Sequence, residues 1–567
     1  MLLHIHSVQR LLRAGLIGTY AALWRQTMGD DNGVPKSLSS INYQPSSNMA
    51  VIVSIQQRQD LRSLAFFRFL LGLYVVYDVV SRLKHGHLSI LWYTSSPGSF
   101  LQPQDSPHGN PIHKVWFYRG DVLLESALFL STSIAACAFA VGLKCNVVLK
   151  VVLWLLVVAM QNRNMNVHDG SDTYTRHLLL WSCQLPMAQV WSLDSMIDSR
   201  RGTTKKNAVQ PHDSAVWGLR LQIVLMYVGT VLNRTTDAYG WSVGRSTWMP
   251  PQLSAVHYSL NSSFANRDCW LGDLVRTTFP LSQIMTFSAM MIEGIAPIAC
   301  MLFGNYAHIP AFLLFTMHLG LLILINLPNW QFVGMLATTV WIPSSVWDGL
   351  QRRLALRFPR HISPPQIVGP FETKPKNDAP MHHPDQKPPL RRSRRRPFLS
   401  YFLLGYMIYN FSGERKWIAK HDGGDIGEFL RFSQYWVMFG TAPVTSVHTI
   451  LVGKFEGLEV DVWEWIRKGH VKSMDLEVRQ SQIWSNMTHI YPSPRWERIF
   501  DQWGERQDMR RGRYFLSQLC DASPFQDLTL IWQHLVVMPP NSITRFRRSA
   551  LPDTVIHVVC DSRTKRL

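Results

Sequence analysis

Apolar residues are unevenly spread along this chain. They gather in runs of about 17–25 residues within its first three-fifths, separated by short polar stretches. Runs of that length match a helix crossing roughly 30 Å of hydrocarbon. The pattern predicts membrane helices near 62–83, 120–143, 145–161, 173–192, 215–233, 279–303, 308–326 and 331–349, with a short ninth near 398–411. The fourth is the weakest, because Pro186 interrupts it. Residues 352–397 hold many prolines, end in "RRSRRRP", and read as a disordered basic linker. Beyond Ser412 the period shortens. "TSVHTILVGK", "GLEVDVWEW", "LIWQHLVVM" and "DTVIHVVCD" are strand-like, and a stretch near 495–519 is helical. The expected fold class is an all-α multi-pass membrane helical bundle of eight or nine helices (61–351 and 398–411) followed by a small soluble α/β domain (412–567). Residues 1–60 read as a leader. Its arginines precede the first acid, Asp30, which suits either an organelle transit peptide or an uncleaved tail.

Charge sharpens this picture. Mean hydropathy is near zero at −0.02, because polar segments offset the apolar runs. The net charge of +19 would suggest nucleic acid in a soluble protein. Here the basic residues flank apolar runs, which is an orientation signal, and nucleic acid is excluded as a partner. Arg200, Arg201, Lys205 and Lys206 follow the fourth run and "RRSRRR" follows the eighth. Both then lie on the cytoplasmic side, and the C-terminal domain lies in a lumen, of the endoplasmic reticulum or another endomembrane. Sequons at Asn233, Asn261, Asn410 and Asn486 fall on or beside that lumenal side. None of the seven cysteines has metal spacing; Cys520 and Cys560 can pair if the domain is lumenal.

Several apolar runs contain charges that lipid would not tolerate. Arg68, Asp78, Arg220, Glu293 and His318 must face one another inside the bundle. They predict either buried pairs that fix packing or a polar cavity. Asp78 and Arg82 are four apart and can pair. "QNRNMNVHDGSDTYTRHLLLW" (161–181) places Asp172 and Arg176 on one face at the mouth of the fourth helix. Ser171, Asp172 and Thr173 are candidate N-caps. His168, Asp169 and Asp172 lack the spacing of a metal site.

That stretch, followed by "WSLD" (191–194), resembles the HTTM (horizontally transferred transmembrane) family, which is related to vitamin K-dependent γ-carboxylase. Matches in order are "FRFLLGLYVVYD" (67–78), "LQIVLMYVGTVLNR" (221–234), "SAVHYSLN" (254–261), "EGIAP" (293–297), "MHLG" (317–320) and "SQYWVMFG" (433–440). The resemblance implies a membrane enzyme that uses vitamin K hydroquinone or another quinol on a lumenal peptide or protein. It also implies a buried base lysine near the end of the fifth helix. Counting from Tyr227, that lysine falls at Arg234 or Asn233. Arginine stays protonated and cannot act as a base. The family histidine at the fourth helix aligns with Ser171 or Asp172. The expected catalytic candidates are therefore Asp172, Glu293 and His318. Arg68, Arg176 and Arg234 are the candidates for binding a substrate or anion. The alternatives to an enzyme are a non-catalytic scaffold, an assembly factor or a carrier.

Overall fold

The computed structural model describes residues 59–84, 87–94, 99–100, 120–164, 167–201, 211, 213–236, 253–261, 265, 269–325, 327–357, 397–418, 445–468, 494–537, 546–548 and 553–560. Residues 1–58 of the expected leader, most of the basic linker, and "SQYWVMFG" lie outside these residues.

Among the described residues, five helical segments are long and apolar enough to cross a membrane. They are α1 (Leu61–Arg82), α3 (Val122–Val141), α7 (Asp213–Thr236), α10 (Phe279–Leu302) and the segment ending in α11 (His308–Leu324). The count of eight or nine is not supported. The third expected run forms the apolar but short α4 (Val147–Asn162). The fourth stops early as α5 (Gly170–Gln184), just before Pro186. The eighth divides into α12 (Pro328–Thr338), a 3-10 turn at Thr339–Trp341 and α13 (Ser344–Arg357), where Pro343 interrupts it. The ninth is α14 (Pro397–Glu414).

Side chains sort as a bilayer requires. Ile134, Ile284, Phe287 and Phe312 are more than half exposed, while Arg68, Asp78, Glu293 and His318 are buried. A polar interior beneath an apolar exterior is a stable arrangement in lipid. Helix α1 is central, and Gly72 lets it pass close to α3. A Cβ on Gly72 would lie 2.6 Å from Cβ of Ala140.

Contacts define the two ends of the bundle. At one, Asp194 accepts from the backbone of Lys144 (2.8 Å) and Cys145 (3.0 Å), and Arg62 meets Asp348 at 2.7 Å. Asp194 belongs to the short helix α6 (Leu193–Arg200). At the other end lie the last turn of α1, the first turn of α5 and the C-terminal domain.

That domain holds an antiparallel sheet in the order β2-β1-β3-β4, with β5 also paired to β3. Its strands are β1 (Thr445–Phe455), β2 (Leu458–Asp461), β3 (Asp527–Val537), β4 (Phe546–Arg548) and β5 (Thr554–Val559). In β1 against β3, Ile450 faces Ile531 and Thr445 faces Val536. Helices α16 (Pro494–Glu505) and α17 (Met509–Asp521) pack on the sheet. "GLEVDVWEW", expected as one strand, becomes β2 and then helix α15 (Val462–Lys468), because Asp461 accepts from the backbone of Glu464 and starts a helix. Cys520 and Cys560 are disulfide-bonded, joining the end of α17 to the end of β5.

The domain shares a hydrophobic core with the bundle. The segment after α2 (His87–Ile90) inserts Trp92 among Trp496, Trp503 and Phe515, with ring centroids 5.4, 5.8 and 5.7 Å away.

Candidate functional site

Helix α5 begins at Gly170, earlier than expected, and its N-cap is Asp169 rather than Ser171, Asp172 or Thr173. Asp169 accepts from the backbone of Ser171 at 2.7 Å, and Asp172 returns the bond by accepting from the backbone of Asp169 at 2.9 Å. This reciprocal box fixes Asp172 at the bundle mouth. The last turn of α1 brings Asp78 and Arg82 to the same place, paired at 3.0 Å as their spacing predicts. Arg82 also donates to Asp172.

The fourth member comes from the C-terminal domain. Arg495, in the first turn of α16, donates to Asp172 Oδ2 at 2.9 Å, to Asp78 Oδ1 at 2.6 Å and to the Val167 carbonyl at 2.7 Å. Two carboxylates and two guanidiniums are thus interlocked and buried. Burial lowers the Arg495 pKa, but Asp172, Asp78 and Asp169 outweigh it and hold the guanidinium well above its ordinary value. Arg495 stays charged at any working pH.

Arg176 shares the face of Asp172, as expected, but bonds elsewhere. It donates to Gln161 Oε1 at 2.7 Å and meets His168 at 2.6 Å. A second buried ion pair beside this junction joins Arg163 to Glu125 at 2.6 Å.

The remaining candidates form three separate groups. Arg234 of α7 is paired with Glu293 of α10. Pro297 offers no N–H to the Glu293 carbonyl one turn earlier, so the helix is locally weakened beside this pair. Tyr227 sits two turns before Arg234 on α7, and its hydroxyl lies 2.6 Å from Nε2 of His318. The other ring nitrogen of His318 donates to Gln331 Oε1 at 2.7 Å. That bond leaves Nε2 as the acceptor from Tyr227, so both ring nitrogens of His318 are satisfied by neutral partners. Arg68 lies toward the opposite end. It donates to the carbonyls of Ala140 (3.2 Å), Met187 (2.8 Å) and Trp191 (2.6 Å). There it ties three chain segments together.

These residues do not fit the chemistry that the resemblance implies. Position 234 carries a guanidinium neutralised by Glu293, and Asn233 accepts from Arg415. Neither can take a proton from a hydroquinone. Among the described residues no group of histidine, cysteine and acidic side chains is arranged to hold a metal. Three sequons are closed as well. Asn261 and Asn410 are buried in helices, and Asn233 is half-buried; Asn486 lies outside the described residues. Sequence reasoning missed Arg495, Tyr227 and Gln331. Tyr227 and Gln331 are ordinary residues of apolar helices, and Arg495 has no local pattern pointing 323 residues back to Asp172. Comparison with protein-family models, curated proteins and solved structures finds no match to this chain.

Proposed function

We propose that this protein is an integral membrane scaffold on the HTTM plan and that it does not carboxylate glutamate. Its bundle holds a folded domain at a fixed place over the lumenal face of an endomembrane, where the domain meets a peptide or protein partner. The observation that carries this reading is the closure of position 234. Where the resemblance asks for a base, Arg234 is ion-paired with Glu293 in the buried bundle. The Arg495 junction supports the scaffold, since it ties the domain to two helices of the bundle. The disulfide supports the lumenal side, because such bonds persist in oxidising compartments.

The test supplies the membrane-embedded protein with vitamin K hydroquinone, labelled bicarbonate and a glutamate peptide. The wild type should fix no label. Arg234→Lys alone should fix none either, because Glu293 would keep the new ammonium protonated. Arg234→Lys/Glu293→Gln removes that partner and asks whether only the base is missing. Label fixed by the wild type would sink the reading.

A second reading, an enzyme with a different base, is favoured by His318. Of the three expected catalytic candidates it alone is held by neutral side chains, while Asp172 and Glu293 are paired with arginines. On that reading the wild type is active, and His318→Gln abolishes the activity.

A further inference from the structure

The end of the bundle opposite the C-terminal domain carries two helices with an apolar face left exposed among the described residues. On α6, Leu193, Met196 and Ile197 are 39%, 53% and 36% exposed, spaced three and four apart on one side. On α13, Val346, Leu350 and Leu354 recur every four residues and are all exposed. The two helices are joined, since Trp191, just before α6, meets Trp347 of α13 edge-on with centroids 5.0 Å apart. Both are rigidly tied to the bundle. Asp194 caps the backbone of Lys144 and Cys145, Arg68 holds the Trp191 carbonyl, and the Trp347 indole donates to Ser63 at 2.7 Å.

Each apolar stripe is flanked by exposed arginines, Arg200 and Arg201 at the end of α6 and Arg352 and Arg353 on α13. The acids on these helices do not cancel them. Asp194 is engaged with backbone and Asp348 is paired with Arg62, so even with Asp198 counted the four arginines leave a positive excess. An apolar stripe beside unneutralised arginines fits an interface rich in anionic headgroups.

We infer that α6 and α13 form an apron that seats on the anionic lipid headgroups of the leaflet opposite the C-terminal domain. The apolar stripes enter the acyl boundary and the four arginines meet lipid phosphates. Its position at the ends of membrane-crossing helices makes it continuous with the lipid-facing belt. A water-facing apolar strip there would be hard to explain. The seat requires no particular activity of the protein.

The full-length protein is placed in nanodiscs of phosphatidylcholine alone or with one-third phosphatidylserine, and backbone hydrogen exchange is followed. Residues 193–200 and 344–357 should exchange at least about fivefold more slowly in the anionic discs, the factor that one basic residue contributes near an anionic surface. High salt should erase the difference by screening. Replacing Arg200, Arg201, Arg352 and Arg353 with Gln should abolish the lipid dependence while exchange elsewhere is unchanged. If that variant does not fold, the salt and lipid series on the wild type decides. Equal exchange in both discs overturns the proposal. Protection that follows protein concentration instead of lipid charge also overturns it, and identifies a second copy as the occupant.

Discussion

Removing the Arg495 guanidinium leaves Asp78 and Asp172 buried with Arg82 as their shared counter-charge. Breaking one partner out of a buried ionic group costs about 3–5 kcal/mol, chiefly because the remaining charge stays desolvated. Arg495→Met should therefore lower the Tm of the purified protein and open the C-terminal domain to protease. Arg495→Lys should recover only part of the loss, since an ammonium cannot span two carboxylates as a planar fork does. A Met variant that melts with the wild type would show that the junction does not hold the domain. A second residue-level test uses Gly334. A Cβ there would lie 2.4 Å from Nε2 of His318. Gly334→Ala should push the ring away from Tyr227 and destabilise by about 1–3 kcal/mol. Adding His318→Ala should relieve much of that strain, so the double variant's loss should fall short of the two single losses combined. Simple additivity would disprove the packing argument. The Asp78–Arg82 pair is legible in the sequence because helix spacing is local. The pairing of Glu293 with Arg234 is not, because it depends on which helices become neighbours.

At the scale of elements, periodicity located the helices better than it counted membrane crossings. α4 is apolar but runs only from its Asn146 cap to Asn162, and α5, which starts early at its Asp169 cap, stops at Gln184 before Pro186. In the tail, alternation found β1, β3 and β5 but not the three-residue β4, which is too short to show a period. The pairing of Cys520 with Cys560 is open in the sequence, conditional on an oxidising compartment, and the fold places them with Cα atoms 5.2 Å apart. Their bond closes a 40-residue separation, and losing such a link in a small domain costs about 2–5 kcal/mol. Cys520→Ser should thus lower the denaturant midpoint of the C-terminal domain. The effect should reach the α2 segment, because Trp92 lies against Phe515 of the same helix α17. Hydrogen exchange of residues 87–94 should rise with that of α17. Loosening confined to the tail would mean that the two regions do not unfold together.

For the whole molecule, the two ends differ in a way that bears on the proposed orientation. One end gathers Arg200, Arg201, Arg352 and Arg353 on exposed surface; the other holds the disulfide-bonded domain over the mouth formed by α1 and α5. On the proposed orientation, the positive-inside rule would put the first in the cytoplasm and the redox argument would put the second in a lumen. The two lines rest on different chemistry and agree. The sequons turn this agreement into a measurement. A glycan needs an exposed asparagine, yet Asn261 and Asn410 are buried and Asn233 is held by Arg415. Asn486 remains as the acceptor that a lumenal domain would offer. Expression in a glycosylating cell should yield one glycan, removable by an endoglycosidase and lost in Asn486→Gln. Asn233→Gln, Asn261→Gln and Asn410→Gln should leave it in place. A glycan on Asn261 or Asn410 would contradict the burial of those helices. An unmodified chain whose C-terminal tag is accessible from the cytosol would reverse the orientation, and with it the side on which any partner of the domain is found.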